Sequence, residues 1–292
     1  MGCRTDDVVV TTSKAASDDL RAEAQRVADA WGLRVVERHR GSVAAARGDA
    51  STALVCTTEG LVAESARGRL TFHQGTAAKR LRALRRGDTD PLVRAGELGP
   101  GDRVLDATLG LGRDTFVAAW AVGSQGEVLG VEADLVLAIL ATEGFAGDVP
   151  PAGSAPVRIR HGDSHRALVE TAAAGEDVDV VLLDPMFADP RASDHGFALA
   201  RDHTVPTPLT PDWVALARAV ARRWVVVTAE RARPWFPEAG LERLEGTRSG
   251  RWFRAPGAAT RTTAAPDEAG ETDRTDQAAV ARASRRPRPW RA

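Results

Sequence analysis

Arg103-Val104-Leu105-Asp106-Ala107-Thr108-Leu109-Gly110-Leu111-Gly112-Arg113-Asp114 decides the fold. An apolar, β-rich run breaks into a glycine turn, and the helix-length segment Thr115–Val122 follows. Glycines let the backbone turn sharply and approach a ligand closely, beside the positive end of the next helix. Working outward, further apolar runs stand at Glu127–Glu132, Val157–His161, Val178–Asp184 and Trp224–Ala229, separated by helix-length stretches. Such alternation predicts βαβ units and a mostly parallel sheet. Thr210 is the N-cap and Pro211 the first residue of a helix with Trp213, Leu216, Ala217 and Val220 on one face. Leu241–Thr247 and Arg251–Ala255 suit a closing antiparallel hairpin. The expected fold is α/β, a Rossmann-like sheet of seven strands whose last strand runs antiparallel.

The glycine turn alone does not choose between nucleotide-binding folds. A dinucleotide fingerprint wants a third small residue for close helix packing, and Thr115 fills that position poorly. Asp106, four residues before Gly110, suits an ammonium group, which S-adenosyl-L-methionine carries and NAD lacks. Glu132 ends the second strand 22 residues after Gly110 and can accept from both ribose hydroxyls. Asp163, after the third strand, is positioned for an adenine amino group. Each acid alone is an ordinary solvated strand end. Three acids at successive strand tips after a glycine-rich turn point to a nucleotide-type cofactor.

The fourth strand ends in Val180-Val181-Leu182-Leu183-Asp184-Pro185-Met186-Phe187. Asp-Pro-x-aromatic at this position resembles the Asp/Asn-Pro-Pro-Tyr/Phe motif of amino-group methyltransferases. Together with the loop from Asp106 to Asp114, it closely resembles the bacterial small-subunit rRNA guanine-N2 methyltransferase family called RsmJ, over about residues 70–230. The stretches Phe72-His73-Gln74-Gly75 and Arg86–Val93 resemble the same relatives. The resemblance implies a class I S-adenosylmethionine-dependent methyltransferase acting on rRNA or the small ribosomal subunit, with no metal. Its cofactor set is Asp106, Thr108, Gly110, Gly112, Arg113, Asp114, Glu132, Asp163 and Asp184. Its reaction set is Asp184, Pro185 and Phe187.

The chemistry accounts for those residue types. An exocyclic amine conjugated with its ring is a poor nucleophile. The Asp184 carboxylate and the Pro185 carbonyl accept its two hydrogens, holding the nitrogen in line with the methyl–sulfur bond. Phe187 stacks on the splayed-out base. The RsmJ family follows this motif with a lysine-rich segment. Here residues 188–195 hold one arginine and two acids, and Arg191, Arg201 and His203 are the substitutes at hand.

Before the large sheet, residues 1–73 alternate β-like runs (Val8–Thr12, Leu33–Glu37, Ala53–Thr57, Leu70–His73) with a helix capped by Ser17, predicting a small α+β domain. Residues 74–100 read as a basic connector. Its Lys79–Arg86 cluster is either a phosphate contact or a solvated arginine face with Leu81 and Leu84 turned inward. The methyltransferase domain is expected over 101–255 and a disordered tail over 256–292, where apolar anchors are few. His73 and His203 share no ligand spacing and read as ordinary histidines.

Composition narrows the class. The 292 residues carry 39 basic and 40 acidic side chains, so no uniformly basic coat exists. All but two of the basic residues are arginine, which weakens any argument from arginine richness. The two cysteines, Cys3 and Cys56, exclude a disulfide framework and suit a reducing, cytoplasmic setting. No apolar run reaches the roughly 18 residues of a membrane span. Rival readings are a methyltransferase of protein or small molecules, a catalytically silent S-adenosylmethionine-binding partner, and a NAD-linked oxidoreductase.

Overall fold

The computed structural model describes residues 5–14, 16–147, 150–185, 208–246 and 251–258. Two sheets are present among the described residues. The smaller follows β1 (Val8–Thr12), β2 (Arg34–Val35), β3 (Thr52–Thr57), β4 (Gly60–Ser65) and β5 (Gly68–Thr71), in the order β2-β1-β3-β4-β5. β1 is parallel to β2 and β3, and β3, β4 and β5 form an antiparallel meander. Helix α1 (Asp18–Trp31) begins at Ser17, whose Oγ accepts from the Leu20 N–H, and stops at Gly32 in the left-handed region at φ 64°. Helix α2 (Val43–Arg47) lies on the opposite face, against Val9, Ala53 and Val55.

The larger sheet contains β6 (Arg103–Asp106), β7 (Glu127–Glu132), β8 (Val157–His161), β9 (Val178–Leu183), β10 (Ala221–Thr228), β11 (Glu242–Arg243) and β12 (Trp252–Pro256). Its order is β11-β12-β10-β9-β6-β7-β8. β8, β7, β6, β9 and β10 are parallel, and β12 is antiparallel to both its neighbours. This is the expected Rossmann-like sheet of seven strands. The central strands are apolar on both faces because both faces are covered. Leu105, Val181 and Val225 face α7 (Ser164–Ala173) and α8 (Pro211–Val220). Val104, Val180 and Val226 face α3 (Thr76–Arg85), α4 (Pro91–Gly96) and α5 (Arg113–Val122).

Helix α6 (Leu135–Gly147) joins the two sheets. Its first two turns, Leu135–Ala141, are apolar on every side and buried, the pattern of a helix segment with no solvent face. It packs on β7 and β8, and also on β4 of the smaller sheet. Leu137, Ile139 and Leu140 are buried there, each contributing about 1.5–3 kcal/mol of apolar burial. Gly144 is required by this packing, since a Cβ there would lie 2.0 Å from the Phe72 ring.

Three expectations need correction. The stretch 74–100 is more than a connector, because α3 and α4 bury Ala77, Leu81, Leu92 and Ala95 in the same cluster as Val104 and Phe116. β4 was not anticipated, because its Ala63, Glu64 and Ser65 are weak strand formers, and pairing to β3 and β5 overrides that. Pro256 belongs to β12, and the Gly257 N–H donates to the Arg223 carbonyl, so regular structure passes 255.

Candidate active site

The loops after β6, β7, β8 and β9 open on one edge of the sheet, where ligands bind in α/β folds. Asp106 ends β6 and is buried. Its Oδ2 accepts from the Thr115 hydroxyl at 2.6 Å, and its Oδ1 from the Thr108 N–H at 3.1 Å. Thr115, a poor third residue for a dinucleotide fingerprint, is thus a buried donor to the key acid. Burial is the main force on the Asp106 carboxyl and raises it to about 7. The Thr115 and Thr108 bonds oppose that rise, while Asp114 and Glu132 add to it.

The glycine turn sits over Glu132. The Gly110 N–H donates to Glu132 Oε2 at 2.7 Å, and the Asp134 N–H donates to Oε1 at 2.9 Å. Asp134 in turn caps α6 through the N–H groups of Val136 and Leu137. Gly112, at φ 71°, is the residue before α5, and a Cβ there would lie 2.4 Å from the Phe145 ring. Phe145 is 4.4 Å from Phe116, centroid to centroid, and both rings pack with Phe72. Asp163 is exposed and is the N-cap of α7, accepting from the Arg166 N–H at 2.8 Å.

Asp184 and Pro185 follow β9 directly. The Asp184 N–H donates to Thr108 Oγ1 at 2.6 Å, so the glycine-rich loop and the Asp-Pro motif are tied together. Asp184 is reached by solvent, yet the protein enclosing it raises its carboxyl well above the usual carboxylate range. Asp114 and Asp106 add to the rise, and Arg80 and Arg251 oppose it. Phe187, Arg191, Arg201 and His203 lie outside the described residues.

Arg113 and Asp114 do not act alike. Asp114 is ion-paired to Arg80, whose Nε and second terminal nitrogen bind Asp90 at 2.8 and 2.9 Å. The Arg113 guanidinium lies over Gly75 and 3.4 Å from His73 Nε2. Arg80, Thr115 and Arg251 were not among the residues singled out as site residues. A half-buried arginine cannot be distinguished within a run of exposed ones without the acids that turn it inward.

The donor set fits S-adenosylmethionine. Asp114 adds to the raised proton affinity of both Asp106 and Asp184, and Asp106 adds to that of Asp184, so the loop favours a ligand that brings positive charge. A sulfonium and an ammonium supply that charge, whereas a dinucleotide would bring its pyrophosphate to three carboxylates. Among the described residues no cluster of three metal-ligating side chains occurs, and no helix is long and apolar enough to cross a membrane.

Comparison with known proteins agrees. The family model of SAM-dependent methyltransferases (SAM_MT) matches residues 39–199. The ribosomal RNA small subunit methyltransferase J of Pseudomonas aeruginosa is 34% identical over 193 residues, covering 62% of this chain and 71% of that protein. The same-named protein of Pseudomonas syringae is 32% identical, covering 76% and 86%. The uncharacterized protein YpiP of Bacillus subtilis is 32% identical, covering 58% and 67%. In fold, a SAM-dependent methyltransferase from Neisseria gonorrhoeae aligns over 88% of this chain and all of its own, with a TM-score of 0.56 at 18% identity.

Proposed function

Since the chain belongs to the RsmJ-like family of S-adenosylmethionine-dependent methyltransferases, we propose that its acceptor is an exocyclic amino group of a base in ribosomal RNA, guanine N2 first. The observation that carries this reading is the Thr108–Asp184 bond. It joins the cofactor loop to an Asp-Pro pair whose acceptors suit the two hydrogens of a planar amine. The rRNA target comes from the resemblance to methyltransferase J.

In this reading Asp106 holds the cofactor's ammonium, Glu132 its ribose hydroxyls and Asp163 its adenine amino group, with Gly110 and Gly112 keeping the backbone close. Thr108 belongs to the loop and orients Asp184, Arg113 borders it, and Asp114 keeps Arg80 in place. The bound cofactor supplies an electrophilic methyl group. Asp184 and the Pro185 carbonyl align the amine and stabilise the positive charge that develops on its nitrogen. Phe187 is assigned to base stacking. The proton leaves the amine after transfer, with Asp184 in hydrogen-bond range to receive it.

The test is mass spectrometry of rRNA nucleosides from cells lacking the gene, beside the parent strain. The expected result is loss of one N2-methylguanosine, restored by wild type and not by Asp184→Ala. An unchanged nucleoside profile would overturn the RNA target and move the search to protein or small-molecule acceptors.

A further inference from the structure

We infer that the outer face of α3, formed by Lys79, Arg82 and Arg86 with Arg85 on its flank, binds the phosphodiester backbone of the RNA substrate beside the transfer site. This inference rests on the RNA reading above and assigns a surface to it. Lys79, Arg82 and Arg86 are three and seven residues apart, which aligns them on one stripe of a helix. All three are exposed, and so is Arg85. The opposite stripe is occupied by Ala77 and Leu81, both buried, with Leu84 half-buried beside them. The fifth cation, Arg80, is turned inward and paired with Asp90 and Asp114.

A merely solvated helix face mixes both signs of charge. On α1 and α7 that rule holds. Arg21 pairs with Asp18 and Arg26 with Glu23 on α1, and Arg166 pairs with Glu170 on α7. α3 carries no acid from Thr76 to Arg85. Among the described residues no acid pairs with Lys79, Arg82 or Arg85, and Arg86 meets only the exposed Asp88. The chain as a whole is nearly neutral, so this single-signed face is a local excess. The helix dipole accounts for Arg85 and Arg86 near the C-terminus, but it disfavours Lys79, one turn from the N-terminus.

Location supplies the second argument. Arg80, on the same helix, holds Asp114 in the first turn of α5, directly after the glycine loop, and its charge acts on Asp184. The cationic stripe is therefore on the helix that packs against α5, whose first turn follows the glycine loop. Phosphate contacts of this kind fix the register of a nucleic acid without reading its sequence. They would position the strand while the target base enters the site.

The test measures binding of a fluorescein-labelled hairpin of small-subunit rRNA to the full-length protein at several salt concentrations. Lys79→Gln/Arg82→Gln/Arg86→Gln is expected to reduce the slope of log affinity against log salt by about two to three, near 0.7–0.9 per lost phosphate contact. Its S-adenosylmethionine affinity and melting temperature should match wild type. Should the triple variant fold poorly, Lys79→Gln and Arg82→Gln singly should each lower the slope by about 0.7–0.9, and Arg82→Lys should restore it. A folded variant with wild-type RNA affinity and slope overturns the assignment of α3 and leaves the RNA reading standing. Wild-type protein that retains no hairpin at any salt concentration, but methylates a protein, overturns both.

Discussion

The two halves of the site are built in opposite ways. On the proposed cofactor side, the acids are already held. Asp106 accepts from Thr115 and Thr108, Glu132 from Gly110 and Asp134, and Asp163 from Arg166. Asp106 and Glu132 are buried, and Gly112 is fixed against Phe145. On the target side, Asp184 and Pro185 follow the end of β9 and face outward, with Thr108 as the tie to the loop. The proposed cofactor half is organised in advance, whereas the proposed target half carries an Asp184 exposed to solvent. Such a division lets a methyltransferase bind its cofactor independently of its substrate.

The comparison can be broken at either side. The largest effect is expected from Asp184→Ala, which should lower methyl transfer by roughly 10²–10³-fold, the scale of losing a group aimed at developing charge. Initial rates with labelled cofactor measure it. Next is Asp106→Asn, which removes a charge-assisted contact of about 1.5–3 kcal/mol and should weaken cofactor binding by about 10- to 100-fold. Gly112→Ala should destabilise the fold by about 1–3 kcal/mol, because its Cβ collides with Phe145 and its φ is strained. Chemical denaturation reads that loss. Thr108→Val removes one hydrogen bond of about 0.5–1.5 kcal/mol and should lower kcat by about two- to tenfold, with Thr108→Ser restoring it. A fall in kcat with unchanged KM for the cofactor sharpens the view that Thr108 serves the target half.

Acid stability probes the cofactor half separately. Asp106 is held near 7 by burial, above its ordinary 3.8. The folded protein therefore takes up a proton between those values that the unfolded chain releases. This group's favourable contribution is complete below about 4 and is lost as the pH rises through about 7. Asp106→Asn should accordingly raise the unfolding free energy above pH 7, by at most about 4 kcal/mol, and change it little near pH 4. An equal gain at both pH values would contradict a buried, strained carboxylate.

The large sheet was legible because its strands are continuous apolar runs, and Thr210-Pro211 marked the start of α8 directly. Glu127–Glu132 and Val157–His161 matched their strands end to end. What sequence left open depends on contacts between distant residues. Arg80 is indistinguishable from Arg82 until Asp90 and Asp114 are brought beside it. The unbroken apolar run Leu135–Ala141 of α6 has meaning only once two sheets enclose it. Thr115 looks like a packing defect until Asp106 is seen within hydrogen-bond distance.

The most direct measurement is calorimetric titration of S-adenosylmethionine into wild type, Asp184→Ala and Asp106→Asn under one set of conditions. Independent halves predict wild-type affinity for Asp184→Ala, whose methyl transfer is lowered by roughly 10²–10³-fold, and markedly weakened binding for Asp106→Asn. Equal loss of binding in both variants, or full transfer by Asp184→Ala, would contradict the division of the site.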